Sequence, residues 1–253
     1  MSDPTPDRHA QRASSFGSQA AAYAEHRPGY PREALEWGLS GATGTPRRVL
    51  DLAAGTGKLT VGLAELGLDV TAVEPDPGMR AELARAVPSA TSLDGQAERI
   101  PMPDGGVDAV FVGQAFHWFD VGPALTEIAR VLRPGGVLVP MWNYEDDSVP
   151  WVAEFARLSR TGVSSTSPGG SRNPGEHPAF VPYESRTFQH AQRRTAKSLA
   201  ETIATHSHMI VADPADRAAG LAEIRRFLAA NPHTASGEFD LPLLTWTFRT
   251  RRR

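Results

Sequence analysis

The strongest constraint on the fold is a regular alternation of short apolar segments and helix-prone segments between Val49 and Pro140. Apolar, β-branched segments typical of buried strands lie at Val49–Leu52, Val70–Val73, Val107–Val112 and Val137–Val139. Segments with helical periodicity separate them, at Lys58–Glu65, Gly78–Ala86 and Pro123–Leu132. Strands that alternate with helices form parallel βαβ units, whose helices cover both faces of a sheet. The pattern therefore predicts an α/β fold with a doubly wound, mostly parallel sheet.

The segments on either side of this region differ from it in composition. Residues 1–15 are polar and are expected to form a disordered lead, and residues 16–145 a core with an N-terminal helical lid. Residues 146–235 are expected to form a mainly helical cap: a Ser-, Pro- and Gly-rich loop, then helices that begin near Ser198 and Asp213. Residues 236–253 are expected to form a closing strand and a frayed, solvated basic tail.

Composition excludes several classes of function. The 253-residue chain has no cysteine, which removes disulfides, zinc-thiolate sites and thiol nucleophiles. Its net charge of -3 gives no overall basic field of the kind that nucleic-acid binders use. No apolar run is long enough to cross a bilayer, and residues 1–12 lack the apolar centre of a signal peptide. A cytoplasmic protein without nucleic-acid or membrane partners is expected, either a monomer or a homodimer.

A glycine-containing loop, Asp51–Gly57, connects the first strand to a helix, so it can bring backbone close to a ligand. Phosphate cradling in a nucleoside triphosphatase would need a glycine at Leu52 and a hydroxyl residue at Leu59. Dinucleotide binding would favour glycine or alanine where Thr60 stands. The sequence thus excludes phosphate cradling and weakens the case for dinucleotide binding. The third possible use of such a loop is to bind S-adenosylmethionine (SAM).

An acidic residue follows the second strand. Glu74 lies nineteen positions after Gly55, where a carboxylate can accept hydrogen bonds from both hydroxyls of a ribose. This position alone does not separate NAD from SAM. The segment Gly95–Pro103, followed by the strand Val107–Val112, favours SAM.

Together these motifs resemble the class I SAM-dependent methyltransferases, in particular the small-molecule group called methyltransferase type 11, whose fold is Rossmann-like. The resemblance covers residues 16–140 and implies that the chain is an enzyme with SAM as its cofactor. In the family, Glu74 would hold the ribose, Met79 would pack on the adenine, and Gln96 with Ala97 would meet the adenine edge. The cofactor-binding residues implied are Tyr23, Arg27, Asp51, Ala53, Gly55, Thr56, Gly57, Glu74, Pro75, Met79, Gln96, Ala97, Glu98 and Gln114.

The chain departs from the family pattern at two of these positions. Ala53 stands where glycine is commonest, so a negative φ is expected there. Gln96 stands where aspartate is usual; its amide oxygen can still accept from adenine, without the help of a charge.

The segment Gly113–Asp120 is expected to face the methyl group, because it leaves the carboxyl end of a central strand. It is similar to the trans-aconitate methyltransferases and their small-acid relatives. That similarity implies that Gln114 lines the methionine end of the cofactor, and that His117 and Trp118 meet the substrate. Tyr30 would also meet the substrate, because its segment resembles the family's N-terminal lid. His117 is the candidate catalytic residue, as a base or hydrogen-bond donor. Alternatively, it orders the loop.

The resulting hypothesis is methyl transfer from SAM to a small-molecule acceptor, first a carboxylic acid or a natural product. The alternative is a SAM-binding protein that transfers no methyl group. Basic residues of the cap would suit an anionic acceptor: His177, His190, Arg193, Arg194, His206 and His208. No metal site is expected, because His206 and His208 lack acidic or further histidine partners nearby in sequence.

Overall fold

The structure is a computed structural model that describes residues 27–159, 174–204, 209 and 213–253. Within these residues the strands are β1 Arg48–Leu52, β2 Asp69–Val73, β3 Thr91–Leu93, β4 Val107–Gly113, β5 Leu132–Glu145, β6 Glu184–Thr195 and β7 Glu238–Arg251. The helices are α1 Arg32–Leu39, α2 Lys58–Glu65, α3 Pro77–Ala86, α4 Val121–Val131, α5 Pro150–Ser159, α6 Ala196–Ala204 and α7 Pro214–Ala230, with one 3₁₀ turn at Phe116–Trp118.

The strands form one sheet in the order β3–β2–β1–β4–β5–β7–β6. The neighbours β1 and β2, β2 and β3, β1 and β4, and β4 and β5 are parallel. The strand order reverses between β1 and β4. The carboxyl ends of β1, β2 and β4 therefore lie together at one edge of the sheet, where a ligand crevice can form. This topology confirms the Rossmann-like, doubly wound fold.

The chain divides into two compact units. The first, here the core unit, comprises Gly29–Asn143, Arg172–Phe188 and Thr245–Arg253. Its buried cluster joins strands β1, β2, β4 and β5 to helices α1 and α2, through Ala34, Leu35, Val49, Leu59, Leu63, Val70, Ala109, Phe111, Val137, Val139 and Met141. Burial of such aliphatic side chains stabilises each helix against the sheet by about 1.5 to 3 kcal/mol per residue.

The second, here the helical unit, contains helices α5, α6 and α7 and parts of the long strands. It has its own buried cluster, comprising Val152, Phe155, Leu199, Ala200, Ile203, Met209, Leu221, Ile224, Leu228, Phe239, Leu241 and Leu243. Asp213 caps α7 by accepting the Ala215 N–H at 2.9 Å, and Asn231 ends the helix, as the Asp-Pro and Asn-Pro pairs predict.

Two local expectations for the second half of the chain are wrong, and one strand there was missed. The strand expected to begin at Val137 already begins at Leu132, and it takes in Pro134-Gly135-Gly136 as a bulge between the pairs Val107↔Leu132 and Ala109↔Val137. Strand β6 was not expected, because its polar residues lack the alternation of a half-buried strand. Helix α6 begins at Ala196 rather than after Ser198, since Thr195 and Ser198 exchange side-chain to backbone hydrogen bonds of 3.0 and 3.1 Å.

The C-terminal residues are not a frayed tail. Strand β7 continues to Arg251, and the Arg249 guanidinium lies 4.2 Å from the ring centroid of Trp37 and 2.5 Å from the Glu184 carboxylate. Arg252 donates to the Leu132 carbonyl, and Arg253 donates to the Phe180 carbonyl at 3.0 Å. The side chains of Arg249, Arg252 and Arg253 are held because each finds an acceptor or a ring within the core unit.

The expected lead, the start of the expected helical lid and the first part of the Ser-, Pro- and Gly-rich loop lie outside the described residues. Among the helices that the structure does describe, none has the length and apolarity to span a membrane.

Candidate cofactor site

Glu74 connects the glycine loop to the end of β2. Its Oε2 accepts the Gly55 N–H at 2.9 Å, and its Oε1 accepts the Asp76 N–H at 2.9 Å. The residue is 8% exposed, and burial raises the pKa of its carboxyl above the usual range. Each carboxylate oxygen has a second lone pair, so the fixed carboxylate can still accept hydroxyl groups.

The loop conformation corrects the expectation for Ala53, whose φ is +57° and not negative. Left-handed backbone places Cβ close to the following carbonyl, which costs a non-glycine residue about 1 kcal/mol or more. The chain thus adopts the conformation that the usual glycine would take, with an alanine side chain in place.

Two glycines of the loop also have positive φ, +57° at Gly55 and +85° at Gly57. A Cβ on Gly57 would lie 3.0 Å from Leu83 Cγ, so this glycine lets the loop pack against α3. A Cβ on Gly55 would meet no atom within 4 Å. Open space therefore borders the loop beside the Glu74 carboxylate, where a ligand can approach the backbone.

Asp51 lies beneath the loop, 1% exposed. Its Oδ2 accepts the hydroxyl proton of Thr60 at 2.6 Å. Burial, with a smaller contribution from the Glu74 charge, raises the pKa of the Asp51 carboxyl to about 7. In the sequence, Thr60 mattered only because it replaces the glycine or alanine of a dinucleotide-binding loop. The structure shows that its hydroxyl donates to Asp51, the acidic residue of the loop.

Thr56 carries a polar atom that the fold leaves unsatisfied. The residue is 3% exposed, and its Oγ1 makes no hydrogen bond to any residue that the structure describes. A buried hydroxyl without a partner is unfavourable unless a ligand or water supplies one. Its place in the loop, next to Gly55, fits a ligand with polar groups.

The residues expected around adenine lie on α3 and on the segment after β3. Met79 is buried, and its N–H is accepted by Asp76 Oδ1 at 2.8 Å. Pro75 is exposed. Ala97 is buried beside the exposed Gln96.

Glu98 has a partner of its own, because its carboxylate accepts the Asp120 N–H at 2.9 Å. It thereby ties this segment to the start of α4, a role that the sequence did not indicate.

The segment after β4 carries the residues expected near the reacting groups. Gln114 has a φ of +58°, and its backbone N–H donates to the Met141 carbonyl at 2.9 Å. His117 is exposed on the 3₁₀ turn, with its ring centroid 4.8 Å from that of Trp118. The turn is anchored by Phe116, which is buried and packs on Phe119 at a centroid distance of 5.3 Å.

Tyr30 reaches the end of β4. A Cβ on Gly113 would lie 2.5 Å from the Tyr30 hydroxyl, so only glycine at position 113 lets the tyrosine approach. Arg27 is half-buried and belongs to the helical unit, and Tyr23 lies outside the described residues.

The basic residues expected to bind an anionic acceptor are engaged within their own units. Arg193 forms ion pairs of 3.4 Å with Glu238 and with Asp240. Arg194 is 5% exposed and donates to the Ser198 carbonyl at 2.5 Å.

Of the histidines in this set, His190 is half-buried, and burial lowers the pKa of its ring. His177 is half-buried, and its Nδ1 accepts the Ala179 N–H at 3.2 Å. His206 and His208 lie outside the described residues. In the part of the chain that the structure describes, no cluster of three histidine or acidic side chains could hold a metal ion.

Comparison with known proteins agrees with this geometry. The family model for a methyltransferase domain matches residues 50–139, from β1 to β5. An uncharacterised methyltransferase of Mycobacterium tuberculosis is 41% identical over 237 residues, which cover 91% of this chain and 93% of the relative. A demethylmenaquinone methyltransferase of Beutenbergia cavernae is 38% identical over 130 residues, covering 50% of this chain and 53% of that protein.

A solved structure of a candidate type II methyltransferase from Anaeromyxobacter dehalogenans superimposes with a TM-score of 0.69. It is 26% identical, and the match covers 89% of this chain and 97% of that one. Three findings support one assignment: the order of the strands in the sheet, the glycine loop held by Glu74, and the similarity to the mycobacterial protein over most of both chains. The chain therefore belongs to the class I SAM-dependent methyltransferase family.

Proposed function

We propose that this protein transfers the methyl group of SAM to a small-molecule acceptor. The observation that carries the proposal is the Glu74 carboxylate, which two backbone N–H groups fix beside the open space at Gly55. A carboxylate fixed in this way can accept the two ribose hydroxyls without reorganising.

Other residues of the site fit the remaining parts of SAM. The buried surfaces of Met79 and Ala97 suit the adenine ring. The unsatisfied hydroxyl of Thr56 suits a polar group of the ligand. Gln114, at the end of β4, would bind the methionine end.

When bound, SAM supplies a methyl group on a positively charged sulfur, and the protein needs to align the acceptor, exclude water and, for some acceptors, remove a proton. His117 is placed for the last task because it is exposed on the 3₁₀ turn that follows β4. Its imidazole can take a proton from the acceptor or donate a hydrogen bond to an acceptor oxygen. Trp118, beside it, offers an aromatic surface to the acceptor.

The proposed acceptor is a small molecule, first a carboxylic acid or a natural product. Two observations support a small acceptor: the relative named as a demethylmenaquinone methyltransferase, and a net charge of -3 that does not favour a nucleic acid. Arg193 forms ion pairs with Glu238 and Asp240, so it does not support the choice of an acid as the acceptor.

Calorimetric titration with SAM tests the cofactor assignment. Glu74→Ala is expected to weaken binding by about 2 to 3 kcal/mol, the value of hydrogen bonds to a charged group. Glu65→Ala, at an exposed glutamate that ends α2, is the matched control and is expected to bind as the wild type does. An unchanged dissociation constant in Glu74→Ala would remove Glu74 from the site.

A panel of acids, phenols and amines, assayed for S-adenosylhomocysteine production, tests the reaction. His117→Ala is expected to lower turnover while SAM affinity stays nearly constant. Product from phenols or amines and from no acid would contradict the proposed acid acceptor. Tight SAM binding without any product across the panel would favour a protein that binds SAM without transferring methyl groups.

A further inference from the structure

Asn143 is a buried polar residue near the end of β5, and three segments of the core unit meet at it. It is 8% exposed. Its backbone carbonyl accepts Gln114 Nε2 at 2.9 Å, and its side-chain Nδ2 donates to the Gly29 carbonyl at 2.9 Å. Its Oδ1 accepts the hydroxyl of Thr245, on β7, at 2.6 Å. Both ends of the side-chain amide and the main-chain carbonyl are therefore used.

These partners fix the orientation of the amide. The Gly29 carbonyl can only accept, so Nδ2 has to face it, and Oδ1 then faces the Thr245 hydroxyl. Aspartate could accept from Thr245 but, when ionised, could not donate to Gly29. The position thus requires a group with a donor and an acceptor on a short stem.

The bond to Gly29 has a consequence for the cofactor site, because Gly29 precedes Tyr30. The Tyr30 hydroxyl reaches the end of β4, where a Cβ on Gly113 would lie 2.5 Å from it. Asn143 therefore attaches the segment that carries Tyr30 to the last residues of β5.

The bond to Gln114 has a second consequence. Gln114 adopts a φ of +58°, a value that glycine would adopt more readily. The presence of glutamine at this strained position indicates that its side chain has a function. Nε2 donates one of its two N–H groups to the Asn143 carbonyl, so the second N–H and the acceptor Oε1 can still meet a ligand. Gln114 would thus offer a ligand one hydrogen-bond donor and one acceptor.

We propose that Asn143 is a positioning residue of the cofactor site, which holds the Tyr30 segment and the Gln114 amide in their binding positions. The proposal rests on the proposed function, because it assigns these two residues to SAM. Asn143 acts through Tyr30 and Gln114, and the hydrogen bond from Thr245 holds the Asn143 amide in the required orientation. The sequence did not indicate this role, since the three partners lie 29, 114 and 102 positions away.

The test is SAM affinity of the full chain, measured by calorimetry between pH 5.5 and 8.5. Asn143→Asp is expected to bind SAM about tenfold more weakly than the wild type at pH 8, since one hydrogen bond to Gly29 is replaced by repulsion. The three partners named above carry no charge, and burial would raise the pKa of the new carboxyl. As the pH falls and the carboxyl is protonated, it can donate to Gly29, so the ratio to wild-type affinity is expected to recover.

Two substitutions on β7 give a matched comparison. Thr245→Val removes the hydroxyl that orients the amide, and is expected to weaken SAM binding less than Asn143→Asp does. Thr247 is also buried, and its Oγ1 has no hydrogen-bond partner among the described residues. Thr247→Val is therefore expected to leave SAM affinity unchanged.

Hydrogen exchange at the backbone amides of Gly29 and Tyr30 gives a readout that does not need SAM, and exchange is expected to be faster in Asn143→Asp at pH 8. If that variant does not fold, the uncharged Asn143→Ser replaces it and is expected to weaken binding at every pH. If the folded variants keep the SAM affinity and the exchange rates of the wild type, the role of Asn143 is refuted and the proposed function still stands. Failure of the wild type to bind SAM would overturn the proposed function and this proposal with it.

Discussion

The buried carboxyl of Asp51 makes a prediction about stability that can be worked out in detail. The side chain is 1% exposed, and its carboxylate accepts the Thr60 hydroxyl proton at 2.6 Å. In Asp51→Asn the amide oxygen can accept the same hydroxyl proton, while the charge that burial disfavours is removed. The variant is therefore expected to be more stable than the wild type, by an amount that depends on pH.

The sign follows from the direction of the shift. The pKa of Asp51 rises from 3.8 in the unfolded chain to about 7 in the folded protein, so between these values the folded state binds more protons. The free energy of unfolding of the wild type then falls as the pH rises, by about 1.4 kcal/mol per pH unit. Relative to the wild type, Asp51→Asn is expected to gain about 1.5 kcal/mol at pH 5 and about 4 kcal/mol at pH 8.

Urea unfolding followed by circular dichroism at pH 5, 6.5 and 8 measures this difference. Asp69→Asn, at an exposed aspartate that begins β2, changes the net charge equally and is expected to alter stability by less than about 0.5 kcal/mol at each pH. A stability gain in Asp51→Asn that is the same at all three pH values would refute the reasoning. So would a wild type that is the more stable protein at pH 8.

Three further substitutions follow from the geometry of the site. Ala53→Gly removes a left-handed alanine and is expected to raise the free energy of unfolding by about 0.5 to 1 kcal/mol, measured by thermal denaturation. Glu74→Gln has one acceptor where the carboxylate receives the Gly55 and Asp76 N–H groups on separate oxygens, so it is expected to lower stability by about 1 to 3 kcal/mol in urea. Gly113→Ala places a methyl group 2.5 Å from the Tyr30 hydroxyl and is expected to destabilise the protein by about 1 to 3 kcal/mol in the same assay.

Two of these substitutions, Ala53→Gly and Gly113→Ala, have an internal control. Gly44 also has a positive φ, +75°, and nothing within 4 Å of its Cβ position, so Gly44→Ala is expected to lose stability where Ala53→Gly gains it. Tyr30→Phe combined with Gly113→Ala is expected to recover part of the lost stability, because the closest atom is removed. Additive effects of the two substitutions would contradict the contact.

The fold was predictable where the sequence signals are local. Helix α2 has the expected bounds, Lys58–Glu65, because its apolar spacing is regular and Gly57 precedes it. Strand β6 was not predictable in this way, since pairing with β7 and not its own pattern makes it a strand. The order of Arg249–Arg253 depends likewise on distant acceptors such as Glu184 and the Leu132 carbonyl.

The same distinction applies to the site. Glu74 follows a strand at a fixed distance from the glycine loop, and this distance suffices to predict that the two meet. The φ of Ala53 was expected to be negative from the residue type, whereas the loop imposes the left-handed value. Thr60 and Asn143 act through partners that the sequence pattern does not reveal, since each is a single polar residue in an apolar segment.

The position of β7 in the sheet affects the order in which the protein can be made. β6 precedes β7 in the chain but joins the sheet only beside it, whereas β1 to β5 pair with strands already synthesised or soon to follow. During translation, the five earlier strands can therefore associate while β6 waits for the residues after Glu238 to leave the ribosome. A nascent chain arrested when residues 184–195 have left the ribosome, but Glu238–Arg251 have not, should have its first five strands protected and β6 as an unpaired edge open to chaperones.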